Sequence, residues 1–260
     1  MNVAQALQLL EVREARILLA EASGFSQAAL LSSPERALAP DVERRYVDFA
    51  NRRKSGEPVA YIVGHKEFYG LDLAVNPAVL IPRPETELLV ELALRRPFSS
   101  ALDLGTGSGA VALALKKQRP RARIVAVEAS AAALAVARRN AVKHGLDVEF
   151  RHGRWLGAVE GERFALIVAN PPYVAAGDPH LPELRHEPLS ALVSGADGLD
   201  DIKAIAAQAP EALEAGGWLL LEHGLGQDAA VRQLLVQAGL EDVATWPDLS
   251  GIPRVSGGRR

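Results

Sequence analysis

From Ser100 onward, short strand-like runs alternate with helical stretches. Runs of strand length stand at Ala101–Leu104, Ile124–Val127, Val148–Arg151, Ala165–Ala169 and Trp218–Glu222, and helical periodicity marks Ala110–Lys117, Ala131–His144, Ile202–Ala215 and Asp228–Ala238. Strands that alternate with helices in this way are joined by crossovers that cover both faces of the sheet. The pattern therefore predicts an α/β fold with a mainly parallel, doubly wound sheet. Sheets of this kind collect ligands beyond the carboxyl ends of their strands, so the loops after the first four strands are where a site is expected.

The part before this has a different rhythm. Residues 1–56 repeat apolar positions at helical spacing (Val3, Leu7, Leu10, Ala15, Leu18, Leu19; then Val42, Tyr46, Phe49, Ala50), with Ser32-Ser33-Pro34-Glu35 resembling a helix start. This predicts a small N-terminal helical bundle. Residues 57–84 change period. Val59, Tyr61 and Val63 alternate, Gly70 offers a turn, and Leu71, Leu73 and Val75 alternate again, which predicts a β-hairpin. The hairpin leads into a connector stiffened by Pro77, Pro82 and Pro84. Glu85, Thr86 and Glu87 then open a helix through Leu94, so residues 85–260 form the expected second domain.

Several function classes drop out. There is no Cys, hence no thiolate nucleophile, disulfide framework or Cys-ligated metal. None of the six His pairs with an acid at helical i, i+4 spacing, so no metal site is expected. A net charge of −3 (29 basic against 32 acidic residues) provides no broad positive field, so no stable nucleic-acid partner is expected. No run of about 18 uncharged apolar residues occurs, which predicts no membrane partner. The acid-bearing, amphipathic start does not read as a secretion signal, so the expected location is cytoplasmic.

Two loops carry the chemistry. After the first strand comes Asp103-Leu104-Gly105-Thr106-Gly107-Ser108-Gly109-Ala110, where glycines permit a sharp turn and a close backbone approach to a ligand. Glu128 closes the next strand, where a carboxylate can accept both hydroxyls of an adenosine ribose. Together these indicate a nucleoside without naming it. After the fourth strand comes Asn170-Pro171-Pro172-Tyr173. With proline near 5% of residues, that tetrapeptide arises by chance in roughly one chain in a thousand. It suits methylation of a planar –NH2, whose nitrogen is a poor nucleophile because its lone pair is delocalised. Asn170 can offer its side-chain carbonyl and Pro171 its backbone carbonyl to the two N–H donors, and Tyr173 can pack flat on the planar group. No strong base is present, so catalysis is expected to be mostly positioning. Trp155, after the third strand, can lie against an adenine or fill an ordinary half-buried place.

These residues resemble the S-adenosylmethionine site of class I methyltransferases, and Asn170–Tyr173 resembles their amino-methylating (D/N/S)PP(Y/F/W) motif. Glu57–Gly64, Leu80-Ile81-Pro82-Arg83-Pro84-Glu85-Thr86-Glu87, Glu187-Pro188, Gly216-Gly217 and Leu221-Glu222-His223-Gly224 extend the likeness to the release-factor glutamine N5-methyltransferases of the HemK or PrmC type, from about residue 3 to the end. The resemblance implies a Rossmann-like fold, S-adenosylmethionine as cofactor (S-adenosylhomocysteine as product), and the Gln of the Gly-Gly-Gln loop of class 1 peptide-chain release factors as substrate. It implies that Gly105, Thr106, Gly107, Ser108 and Gly109 hold the methionine part, Glu128 the ribose and Trp155 the adenine region. Asn170, Pro171, Pro172 and Tyr173 would clasp the glutamine amide, with Asn170 also bordering the cofactor. The family usually has Asp where Glu128 stands and an acid where Arg154 precedes Trp155. Two other readings fit parts of the pattern. They are a nucleic-acid adenine N6-methyltransferase, whose target amine would suit the same clasp, and a nucleoside-binding adaptor without enzymatic activity.

Overall fold

The structure, a computed structural model, describes residues 1–260. The chain divides into two compact units, Met1–His65 and Lys66–Arg260.

The first unit holds five helices: α1 (Val3–Leu7), α2 (Val12–Ser23), α3 (Gln27–Ser32), α4 (Pro40–Lys54) and α5 (Val59–Val63). Local residues set their ends. Asn2 and Gln5 form a capping box, Glu11 and Ser26 accept the free N–H groups of α2 and α3, and Gly24 ends α2 at φ 71°. Val3, Ala6, Leu18, Leu19, Leu30 and Tyr46 fill the core, where the Tyr46 hydroxyl donates to the Ala6 carbonyl at 2.9 Å.

Two expectations are corrected here. Ser32–Glu35 starts no helix; α3 ends there, and the next helix begins at Pro40, whose missing N–H costs nothing at a first helical position. Val59, Tyr61 and Val63 form no strand. Pro58 ahead and Gly64 behind (φ 82°) enclose a single short helix that buries Tyr61 and Ile62. The hairpin comes slightly later, as β1 (His65–Phe68) and β2 (Leu71–Ala74), turning at Tyr69-Gly70 with φ of 50° and 72°. Two successive positive φ values give the turn the twist that antiparallel strands require.

The second unit is built on seven strands: β3 (Ser100–Leu104), β4 (Arg123–Glu128), β5 (Glu149–His152), β6 (Phe164–Ala169), β7 (Leu213–Glu222), β8 (Glu241–Pro247) and β9 (Pro253–Arg259). Their order is β5-β4-β3-β6-β7-β9-β8. The first five run parallel, and β9 is antiparallel to both β7 and β8. On one face pack α6 (Glu87–Leu94), α7 (Ala110–Gln118) and α8 (Ala131–His144); on the other lie α9 (Asp200–Ala212) and α10 (Asp228–Gln237). Successive strand residues serve opposite cores: Ala101 faces α6 and α7, while Leu102 and Leu104 face α9. The expected doubly wound α/β class is what the chain adopts.

The fifth strand is longer than its apolar run, because the preceding helix stops at Ala212 rather than Ala215 and Leu213 already pairs with Phe164. Strands β8 and β9 were not anticipated. Gly257 and Gly258 blunt the strand pattern of β9, and the reason for one is steric: a Cβ on Gly257 would stand 2.5 Å from the Leu219 carbonyl oxygen.

Two buried amide and carboxylate groups fasten the loops above the sheet. Asn140 of α8 accepts from the Ala74 N–H at 2.8 Å and donates to the carbonyls of Ala74 (3.0 Å) and Ser108 (2.9 Å), joining β2 to the loop after β3. Glu187 accepts from the Ile81 N–H at 3.0 Å and pairs with Arg83, holding the proline-rich segment in place. The chain leaves β3 toward β4 on one side and returns to β6 on the other. A crevice therefore opens at the carboxyl ends of these strands.

Candidate active site

Four loops meet in that crevice. The one after β3 is folded by its own residues. Gly105, Gly107 and Gly109 take φ of 72°, 57° and 87°, conformations that L side chains rarely adopt. The amides of Gly105 and Thr106 both donate to the Val127 carbonyl, at 2.9 and 3.1 Å. Beneath them Asp103, 2% exposed, accepts from the Thr106 hydroxyl at 2.6 Å and the Ala112 N–H at 3.1 Å. Burial raises the Asp103 carboxyl to about 6, against the opposing pull of those two donors.

Glu128 stands across from this loop at the end of β4. Its Oε2 accepts from the Gly107 N–H and its Oε1 from the Ser130 N–H, both at 2.9 Å. Each carboxylate oxygen retains a further lone pair for a ligand hydroxyl. Trp155, at φ 49°, lies directly over Gly105, where an added Cβ would sit 3.1 Å from the indole. Its N–H donates to Asp201 at 3.1 Å. The buried Asp201 carboxylate also takes Arg154 at 2.8 Å and the Ser194 hydroxyl at 2.7 Å. Arg154 thus has an acidic partner beside the indole.

Asn170 follows β6. Its Nδ2 donates to the Thr86 hydroxyl oxygen at 3.1 Å, a bond that leaves the Oδ1 acceptor unused. A cavity of about 360 Å³ is lined by Gly105, Gly107, Glu128, Trp155, Asn170 and Pro172, among others. That volume is within the range of small-molecule sites.

Not every expected residue reaches this cavity. Thr106 and Ser108 are buried, and with Asn170 and Thr86 they line a smaller recess of about 60 Å³. Gly109 borders neither space. It lets α7 begin against α8, since a Cβ there would come within 3.1 Å of Leu113 and 3.3 Å of Ala137. Pro171 is buried. Tyr173 points its hydroxyl toward Glu222 at 3.5 Å, and burial pushes its phenol upward. Asp103, Thr86 and Asp201 were not assigned roles from sequence, although each shapes a residue that was. No three His, Asp or Glu side chains converge as a metal ion would require.

Comparison with known proteins finds matches along most of the chain. Residues 84–186 match the family described as methyltransferase small domain, and residues 4–64 match the PrmC N-terminal domain. The release factor glutamine methyltransferase of Pseudomonas aeruginosa is 50% identical over 252 residues, covering 95% of this chain and 91% of that protein. The protein of the same description from Xylella fastidiosa is 49% identical, covering 99% and 96%. Among solved structures, a methyltransferase from Pyrococcus furiosus overlays with a TM-score of 0.57 at 17% identity, covering 82% of this chain and 98% of that one. A 16S rRNA N2 G1207 methyltransferase from T. thermophilus, in complex with AdoMet and guanosine, overlays at 0.56 with 24% identity, covering 75% and 49%. These overlays show the fold.

Proposed function

The chain belongs to the release factor glutamine methyltransferase family, and on that premise we propose that its crevice brings a glutamine carboxamide against S-adenosylmethionine. The enzyme transfers a methyl group to the side-chain nitrogen of the Gln in the Gly-Gly-Gln loop of class 1 release factors, in the cytoplasm. The residues fit the cofactor. Glu128 has lone pairs for the ribose hydroxyls, Gly105 and Gly107 present backbone with no Cβ in the way, and Trp155 offers an apolar face because its N–H is already spent on Asp201.

When bound, S-adenosylmethionine would supply an electrophilic methyl carbon on a sulfonium, with the thioether S-adenosylhomocysteine as the leaving group and water as the acceptor of the proton that the amide nitrogen gives up. The protein's part is geometric. Asn170 Oδ1 and the Pro171 carbonyl accept the two amide N–H donors, turning the nitrogen toward the methyl and raising its electron density as charge builds. Alignment of that kind supplies up to ~7–11 kcal/mol of the barrier. The observation carrying this reading is the Asn170 carboxamide, tied by Nδ2 to Thr86 and standing on the same cavity as Glu128 and Trp155. Residues 1–56, within the N-terminal unit, are assigned to recognition of the release factor, and residues 57–84 to joining it to the transfer domain at 85–260.

Mass spectrometry after incubation with labelled cofactor provides the test. The labelled methyl on the Gly-Gly-Gln peptide of intact release factor is the expected result, and label on DNA or RNA instead would overturn the substrate. A second expectation concerns the turn under Trp155. Gly105→Ala places a Cβ 3.1 Å from the indole at φ 72°, so it should weaken cofactor binding about tenfold and cost roughly 1 kcal/mol of stability. Titration calorimetry and a thermal melt read the two effects separately.

A further inference from the structure

Gln227 stands in the turn after β7, just ahead of α10, and its side-chain amide ties three stretches of backbone together. Oε1 accepts from the Gly224 N–H at 2.8 Å. Nε2 donates to the Tyr173 carbonyl at 3.0 Å and to the Asp197 carbonyl at 3.3 Å. A backbone N–H can only donate and a carbonyl can only accept, so these partners leave the amide one orientation.

Two glycines make room for it. A Cβ on Gly198, at φ 76°, would stand 2.2 Å from the Tyr173 carbonyl oxygen and 2.7 Å from Gln227 Nε2. One on Gly224 would stand 3.0 Å from Gln227 Oε1 and 3.2 Å from Cδ2 of the Tyr173 ring. Backbone on both sides therefore closes on Tyr173 and on the amide that holds it. Gly224 is fixed at its other end as well. Its carbonyl accepts from His223 Nδ1 at 3.1 Å, and His223 Nε2 bonds to the Ser256 hydroxyl of β9 at 2.9 Å.

These bonds matter because of where Tyr173 stands. Upstream, Ala169 is paired with Leu104 and Leu221 in the sheet. Downstream, the Val174 N–H donates to the Leu192 carbonyl at 2.8 Å. Between them, the rings of Pro171 and Pro172 hold φ at about −65°, so few torsions remain free. A shift of the Tyr173 carbonyl is passed back along this stiff segment to the Pro171 carbonyl and to Asn170.

We infer that Gln227 is a positioning residue for methyl transfer: by holding the Tyr173 carbonyl against the turn after β7, it sets the direction of the Pro171 carbonyl and the aim of the clasp. The inference rests on the reading of Asn170 to Tyr173 as that clasp. Gln227 lines neither cavity, so its loss should act on the transfer step and spare cofactor binding.

The test is steady-state kinetics of the full-length enzyme with intact release factor, for two variants of nearly the same size. Gln227→Glu, assayed at about pH 8 where an ordinary carboxyl is ionised, keeps an oxygen for Gly224. It presents a second oxygen, in place of the NH2 group, to the Tyr173 and Asp197 carbonyls. Gln227→Met keeps neither end. Both should lower kcat by about 10- to 100-fold, the scale of a misplacement of about 1 Å, with KM for S-adenosylmethionine within about threefold. Calorimetric binding of S-adenosylhomocysteine and a thermal melt report the folded fraction of each variant. Wild-type kcat in Gln227→Glu overturns the inference, because the bond to Gly224 alone then suffices. A loss confined to KM for S-adenosylmethionine, or a fall in kcat no larger than the fall in folded fraction, overturns it too. Full activity in Asn170→Ala would be a separate failure, that of the clasp itself.

Discussion

Replacing Asn170 by Ala is expected to lower turnover on release factor by at least ~10²-fold while leaving cofactor affinity within a few-fold. The loss is that of one preorganised polar contact aimed at developing charge, which in other enzymes costs ~10²–10³ in kcat. Two consequences follow from the geometry. The substrate nitrogen loses an acceptor that aligns it, and Thr86 loses the Nδ2 group it holds at 3.1 Å. In the proposed function the main cofactor contacts are Glu128, the glycine turn and Trp155, so calorimetry should register little change. A folded variant with wild-type turnover would rule the clasp out.

Glu128→Ala should act the other way, raising the dissociation constant for S-adenosylmethionine by about 10- to 100-fold. Hydrogen bonds to a charged group contribute roughly 1.5–3 kcal/mol, which sets that range. Part of the effect comes from the loop itself, because the carboxylate also holds the amides of Gly107 and Ser130. Glu128→Gln keeps one oxygen acceptor and should fall between Ala and wild type. Wild-type affinity in the Ala variant, measured by titration calorimetry, would remove the ribose role.

The parallel core of the transfer domain was legible because β3, β4 and β6 are apolar on both faces, a pattern that few folds other than a covered parallel sheet can satisfy. The antiparallel pair β8 and β9 was not, since Glu241, Asp242 and two glycines interrupt any alternation. Val59–Val63 misled for a related reason. Five residues fit either period, and the deciding information lies in Pro58 and Gly64, the residues flanking them. At the site, Gly105, Glu128 and Asn170 could be named because Glu128 closes a strand and the other two follow one directly. Thr86, Asp201 and Glu222 could not. They meet Asn170, Trp155 and Tyr173 only after chain segments 46 to 84 residues apart have folded together. Thr106 was named, but its hydroxyl turns inward to Asp103, a choice that spacing along the chain does not encode.

The Asn140 side chain has an effect on motion as well as on shape. By bonding Ala74 on one side and Ser108 on the other, it makes the hairpin edge and the glycine turn open as one unit. Backbone deuterium uptake at the two segments should rise in step in the intact enzyme and fall out of step in Asn140→Ala. Ligand seated on the turn would then slow exchange in a hairpin it never touches.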